Sequence, residues 1–217
     1  SLWYGGIERL YSANIKKLGV IHRGFSTYSK TKFRNNPEWQ IPIELQNKFP
    51  DLPLICDPSH ICGRRDIIEE TSQKALDLNF DGLMIETHND PDNAWSDASQ
   101  QITPETLIKL MKDLVIRKES VQERSFIREL ENLRVKIDDA DSQILDILGN
   151  RMKVSDEIGK IKKKQNVAIL QSARWSNILK KMISDGKQKG LSEDFILKIF
   201  KAIHQESINH QEKILKN

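Results

Sequence analysis

Three short polar clusters in the first half of the chain could do chemistry, and each follows an apolar run. HRGFSTY (22–28) follows the first, CDPSH (56–60) closes the second, and ETH (86–88) closes the third, with WSD (95–97) soon after. An arginine beside a glycine suits a phosphate, because the guanidinium offers a two-pronged fork and glycine lets the backbone come close. Arg23 is therefore a candidate phosphate-binding residue. His60, Glu86 and Asp97 supply one imidazole and two carboxylates, a partial shell for a divalent metal. The plainer alternative is a structural histidine and two helix-capping carboxylates.

The second half offers a different chemistry. Arg134, Arg151 and Lys162 fall on one stretch of helical periodicity, and Arg151 and Lys162, 11 residues apart, project to similar sides. Arg174 lies in the first turn of the next predicted helix. Ser207 and Gln211, four apart, share a face of the last one. Several cations with two neutral hydrogen-bonding groups suit a small dicarboxylate. The run 160–164 contains four lysines, most of them read as solvated. Charge divides the same way, with net +5 over 120–217 and −2 over the remainder. That excess fits an anionic ligand or a solvated basic face.

These residues need elements to hold them. Apolar runs at 18–22, 52–57 and 82–86 begin about 30 residues apart and lack strict alternation, the pattern of parallel strands buried on both faces. Helical segments are expected at 1–14, 43–49, 65–79 and 103–117, giving βα units and a parallel sheet. In such folds the loops after the strands converge on one functional face. All seven prolines precede residue 105, and the last 113 residues have none. Because proline breaks helix interiors, the second half reads as all-helical. Its helices are expected at about 121–164, 171–188 (ending at Gly186 or Gly190) and from an N-cap at Ser192 to about 215. One long amphipathic helix cannot cover its apolar stripe with two shorter ones, so a helix-exchanging or helix-pairing dimer is expected.

Composition narrows the classes. The chain has 217 residues, 38% hydrophobic and 30% charged. No apolar run approaches the ~20 residues of a membrane span, and no signal peptide is visible at the N-terminus. Two cysteines, Cys56 and Cys62, do not make a disulfide scaffold. A net charge of +3 does not point to nucleic acid. The expectation is a cytoplasmic protein without membrane or nucleic-acid partners.

The runs IHRGFSTY (21–28), CDPSH (56–60), GLMIETH (82–88) and WSDASQQITPE (95–105) resemble DAHP synthase, in its shorter class related to KDO8P synthase. The resemblance spans residues 1 to about 118. It implies a (β/α)8 TIM barrel condensing phosphoenolpyruvate with erythrose 4-phosphate, the first step of the shikimate pathway. It further implies that His60, Glu86 and Asp97 are three of four ligands to manganese or iron, a Lewis acid orienting the aldehyde. Arg23 would bind phosphoenolpyruvate. The family's cysteine ligand and Lys-Pro-Arg-Thr-Ser segment belong to earlier strands, and neither is in this chain. Cys56 and Cys62 do not take the cysteine's place. A barrel needs eight strands and typically ~250 residues. The three counted here are read as its C-terminal part, without synthase activity of its own.

The stretch ELENLRVKIDDADSQILDILGNRMKVSDEIGKIK (129–162) resembles the first helix of the all-helical chorismate mutases, and the likeness extends over 123–215. It implies that Arg134, reaching in from a partner protomer, and Arg151 bind the substrate carboxylates. Lys162 and Gln211 would hydrogen-bond the ether oxygen, while Arg174 and Ser207 contact substrate. The rearrangement of chorismate to prephenate needs no cofactor. Two positions depart from the pattern. A carboxylate is replaced by Trp175, which cannot accept a hydrogen bond through its N–H. An aspartate is replaced by Gln171, which still can. Trp175 is expected to pack as a core or interface aromatic.

The expected domains are thus 1–118, a partial barrel, and 119–217, a helical mutase forming a homodimer. The order resembles bacterial fusions in which prephenate inhibits the synthase. A non-catalytic prephenate- or chorismate-sensing module, and a truncated product without function, are the alternatives.

Overall fold

Strand-helix alternation builds the first half of the molecule. The computed structural model describes residues 2–27, 31–118, 120, 122–170 and 172–216, and the chain divides into two compact units, residues 1–121 and 122–217. Tyr28 and Gln171 lie outside the described residues. The first unit runs α1 (Leu2–Ser12), β1 (Val20–His22), α2 (Gln40–Lys48), β2 (Leu54–Cys56), α3 (Pro58–Cys62), α4 (Ile68–Asp77), β3 (Gly82–Leu83) and α5 (Pro104–Asp113). The strands are parallel in the order β1-β2-β3, with Val20 opposite Leu54 and Ile55 opposite Gly82.

Burial of apolar side chains on one side of this sheet holds the unit together. Val20, Leu54 and Cys56 pack with Ile7 of α1, Leu45 of α2, Ile61 of α3, Ile68 and Ala75 of α4, and Leu110 of α5. The expectation of burial on both faces is corrected. Ile21 and Met84 are 46% and 47% exposed, because pleating turns them to the side that no helix covers. The third run is also shorter than its apolar pattern. Only Gly82–Leu83 is strand, and beyond it Met84 N–H donates to the Cys56 carbonyl and Thr87 forms an isolated parallel bridge with Ile102.

A further helix, α3, lies outside the segments expected to be helical. Its signals were present. Asp57 is the N-cap and accepts from His60 N–H at 3.0 Å, Pro58 opens the helix without an orphan donor, and Gly63 ends it at φ +64°. A Cβ on Gly63 would stand 2.5 Å from Arg34 Cβ, so this turn also needs glycine for space.

The second unit consists of α6 (Arg124–Lys164), α7 (Ser172–Gln188) and α8 (Glu193–Lys216). At 41 residues α6 is about 60 Å long. Ser192 caps α8, accepting from Phe195 N–H at 3.3 Å. Gly186 lies inside α7, and Gly190 carries the left-handed φ of +79° just beyond its end. α8 packs on α6 and α7. The approach to α6 is close because Ser155 and Gly159, one turn apart, are small and buried there. No helix among the described residues is long and apolar enough to cross a membrane.

Candidate functional site

Two constellations assemble, one in each unit. In the first, His60 sits on α3, Glu86 just after β3, and Asp97 before a 3-10 turn at Ala98–Gln100. One ligand atom from each lies within 4.8 Å of the others. His60 Nε2 is 3.7 Å from Glu86 Oε1 and 3.9 Å from Asp97 Oδ2. One nitrogen and two carboxylate oxygens converging at this spacing fit a divalent cation.

Buried groups that the sequence reading missed hold this triad. Asp57, fully buried, takes His60 Nδ1 at 2.7 Å and so leaves Nε2 to face the two carboxylates. Gln100, also fully buried, donates to Glu86 Oε2 at 2.8 Å and accepts from Arg34 Nη1 at 2.9 Å. The same Arg34 nitrogen donates to Asp97 Oδ1 at 2.7 Å. That bond holds the Asp97 carboxyl below the usual carboxylate range, in the ionised form a metal ligand must have. Ser59 Oγ accepts from Glu86 N–H at 3.0 Å, and the Arg65 guanidinium donates to the carbonyls of Ala98 and Gln101. The available signal was the Asp-Pro cap before His60 and the glutamine three residues after Asp97.

Arg23 joins the same end of the sheet through Asp57, Nε to Oδ2 at 3.3 Å, with its side chain 56% exposed. Gly24 does not leave open backbone for a phosphate, as its pairing with Arg23 had suggested. A Cβ there would lie 2.6 Å from the Asn35 carbonyl, at φ +76°, so the glycine serves the pairing of Phe25 with Asn36.

The second constellation is a cavity of about 400 Å³ among α6, α7 and α8. Arg151 and Lys162 enter from α6, Arg174 from α7, and Ser207 and Gln211 from α8. Arg151 Nη1 donates to Ser207 Oγ and to the Ile203 carbonyl. Lys162 Nζ donates to the Ile169 carbonyl. Gln211 donates to the Ser207 carbonyl at 3.3 Å, but its buried Oε1 has no partner among the described residues. Desolvation lowers the pKa of Arg151, and desolvation with the nearby charge of Arg174 lowers that of Lys162. No carboxylate among the described residues lines the cavity. Three cations without a counter-charge form a receptor for a small anion.

Arg134 is not brought to this cavity by its own chain. It lies 17 residues before Arg151 on the same helix, about 25 Å away, and pairs with Glu131. Trp175 lines the cavity and stacks on His204, with ring centroids 3.9 Å apart, rather than packing in a core. His204 was missed, although it precedes Ser207 by three residues on the same face. Gly159 was missed as well. A Cβ there would meet Gln211 Cα at 3.3 Å, so this glycine lets α8 seat Gln211 against α6.

A family model described as DAHP synthetase I family matches residues 4–123, and one described as chorismate mutase type II matches residues 133–212. A phospho-2-dehydro-3-deoxyheptonate aldolase of Thermotoga maritima is 29% identical over 107 residues, 49% of this chain and 31% of the relative. A bifunctional chorismate mutase/prephenate dehydratase of Buchnera aphidicola (subsp. Acyrthosiphon pisum) is 32% identical over 83 residues, 38% of this chain and 22% of the relative. The chain thus spans a third or less of the length of these curated relatives. Among solved structures, a truncated 3-deoxy-D-arabino-heptulosonate 7-phosphate synthase from Thermotoga maritima aligns with a TM-score of 0.41 at 30% identity, covering 48% of this chain and 39% of that one.

Proposed function

Because this chain belongs to the DAHP synthetase I family and carries a chorismate mutase type II domain after it, we propose that its helical unit converts chorismate to prephenate in aromatic amino acid biosynthesis. The observation that carries this is the cavity in which Arg151, Lys162 and Arg174 converge with no carboxylate among the described lining residues. The rearrangement is intramolecular and needs no nucleophile, base or cofactor. It needs the two carboxylates held so that the reacting carbons meet, which Arg151 and Arg174 do, and stabilisation of charge growing on the ether oxygen. Lys162 and Gln211 are the donors at that oxygen. For this the Gln211 amide turns, so that its NH2 faces the oxygen. Ser207 anchors Arg151.

Arg134 completes the site from a second copy of the chain. Leu133, Ile137, Ile144 and Ile147 on α6 are all at least half exposed, and with Ala140 between them they follow the 4-3 spacing of a helix-pairing seam. Burying one such side chain contributes about 1.5–3 kcal/mol, so a homodimer stabilises this helix as well as supplying Arg134.

In the first unit His60, Glu86 and Asp97 would hold a divalent metal, manganese or iron, and Arg23 would contact phosphoenolpyruvate. When bound, such a metal would supply Lewis-acid chemistry towards the aldehyde oxygen of erythrose 4-phosphate in a complete barrel. We take residues 1–118 and 119–217 as the two domains. A cytoplasmic location is consistent with two buried free cysteines, Cys56 and Cys62.

The test is chorismate consumption by the full chain, followed by loss of its ultraviolet absorbance. Turnover supports the mutase. Tight prephenate binding without turnover replaces it with a sensing module. The same chain with phosphoenolpyruvate, erythrose 4-phosphate and manganese is expected to release no phosphate.

A further inference from the structure

The helical cavity holds a titratable group to which the mutase reading assigns no task. His204 precedes Ser207 by three residues and Gln211 by seven, so all three face the cavity from one side of α8. Its ring lies on the Trp175 indole, centroids 3.9 Å apart and planes 17° from parallel. Arg151 brackets it along the helix, donating to the carbonyl of Ile203 and to Ser207 Oγ. We propose that His204 is a further ligand-binding group of this cavity, held in place by Trp175, that takes up a proton when a dianionic ligand binds. The proposal rests on the mutase reading of the site.

The charges around His204 give the mechanism. Arg151 and Lys162 face the cavity from α6 and Arg174 from α7. Farther along α8, His210 is already engaged by Asp156 at 2.8 Å and Glu206 at 3.5 Å. No acidic group among the described lining residues opposes the cations. In the free protein, burial and then the charge of Arg151 lower the imidazole's pKa below its ordinary 6.5, so it is neutral at pH 7. A dicarboxylate beside Arg151 reverses the local field, and an opposite charge at such range favours the charged ring. The indole face adds a cation–π contact that exists only once the imidazole is protonated. Binding therefore takes up a proton. Affinity rises as pH falls from the bound-state pKa towards the free-state one, by at most about tenfold per pH unit.

The experiment is calorimetric titration of the full chain with prephenate at pH 8 and pH 6, in pairs of buffers that differ in ionisation heat. The expected result is a Kd at least about fivefold tighter at pH 6, within that tenfold-per-unit limit, with net proton uptake near pH 7. His204→Gln is expected to abolish both, and His210→Gln to keep both. Equal Kd values at the two pH values, with no proton uptake, overturn the proposal alone. Retention of the pH dependence in His204→Gln also overturns it. No prephenate binding at either pH, together with no chorismate consumption, overturns the mutase reading and this proposal together. If His204→Gln loses its helical circular dichroism, the proton count of the unaltered chain decides.

Discussion

His60, Glu86 and Asp97 are each fixed by a hydrogen-bonding partner within the folded chain, whereas Lys162 and Arg174 of the helical cavity have no carboxylate partner among the described residues. In the first site opposite charges and buried amides close a network, so the ligand atoms are held together before any cation arrives. In the second, like charges converge and a buried acceptor is left open. Strand ends can build the first kind because several loops meet there, each with its own backbone to bond. Helix faces have spent most of their backbone bonds internally and contribute mainly side chains, which leaves the ligand to complete the charge balance. The network of the first site is expected to be sensitive to loss of a buried partner, and the cavity of the second to loss of a single charge.

The largest test of that contrast is Lys162→Ala. Removal of one donor of this kind typically costs about 2.7–4 kcal/mol in the transition state, so chorismate turnover is expected to fall by about two orders of magnitude or more. A rate within about threefold of the unaltered chain would remove Lys162 from the mechanism.

Next comes acid. His22, buried among Trp3, Phe25, Trp39 and Phe80, has its pKa lowered to about 4, by desolvation, with a hydrogen bond to the Pro37 backbone opposing. The unfolded chain therefore binds a proton that the fold rejects between about pH 6.5 and pH 4. Stability of the first unit is expected to fall across that window by on the order of 3 kcal/mol. Denaturant titrations followed by tryptophan fluorescence would show it, and an unchanged midpoint from pH 7 to pH 4.5 would contradict it.

Asp57→Asn then probes the network itself. It weakens the partner that orients His60, and changes of this sort typically cost 10–100-fold in metal affinity. A Mn²⁺ titration of the full chain by electron paramagnetic resonance should show Kd raised by about that factor. An unaltered Kd would mean that Asp57 does not position the imidazole.

The smallest effect is expected from Gly159→Leu. The added side chain pushes against the Gln211 backbone, and overpacking of this sort costs about 1–3 kcal/mol. The midpoint of unfolding should drop and chorismate turnover fall with it. Turnover that falls while stability holds would place the effect on Gln211 alone.

Much of this was legible along the chain. Proline confined to the first 104 residues separated a sheet-bearing unit from a helical one, because an absent donor excludes proline from helix interiors. Helical spacing put Arg151 with Lys162 and Ser207 with Gln211, and the cavity contains all four. Less was legible where a residue's importance depends on a distant neighbour. Arg34 and Gln100 look like loop residues in a polar stretch. They matter because Arg34 reaches Asp97, 63 residues on, and Gln100 turns back to Glu86. Strand length was misjudged for a related reason. An apolar run gives the wish for burial, but the pairing partner at β2 sets how many residues become strand.

By itself, then, the sequence determined the period of each element, its caps and breaks, and the types of charge each half could bring to a ligand. These are local properties, fixed within one or two turns of chain. Tertiary structure alone decided which face of the sheet is covered, that Asp57 orients His60, that Gly159 admits α8 to within contact of α6, and that Trp175 lies on His204 rather than in a core. Those outcomes depend on the packing of segments far apart in the chain, where a few ångströms separate a solvated side chain from a ligand-binding one.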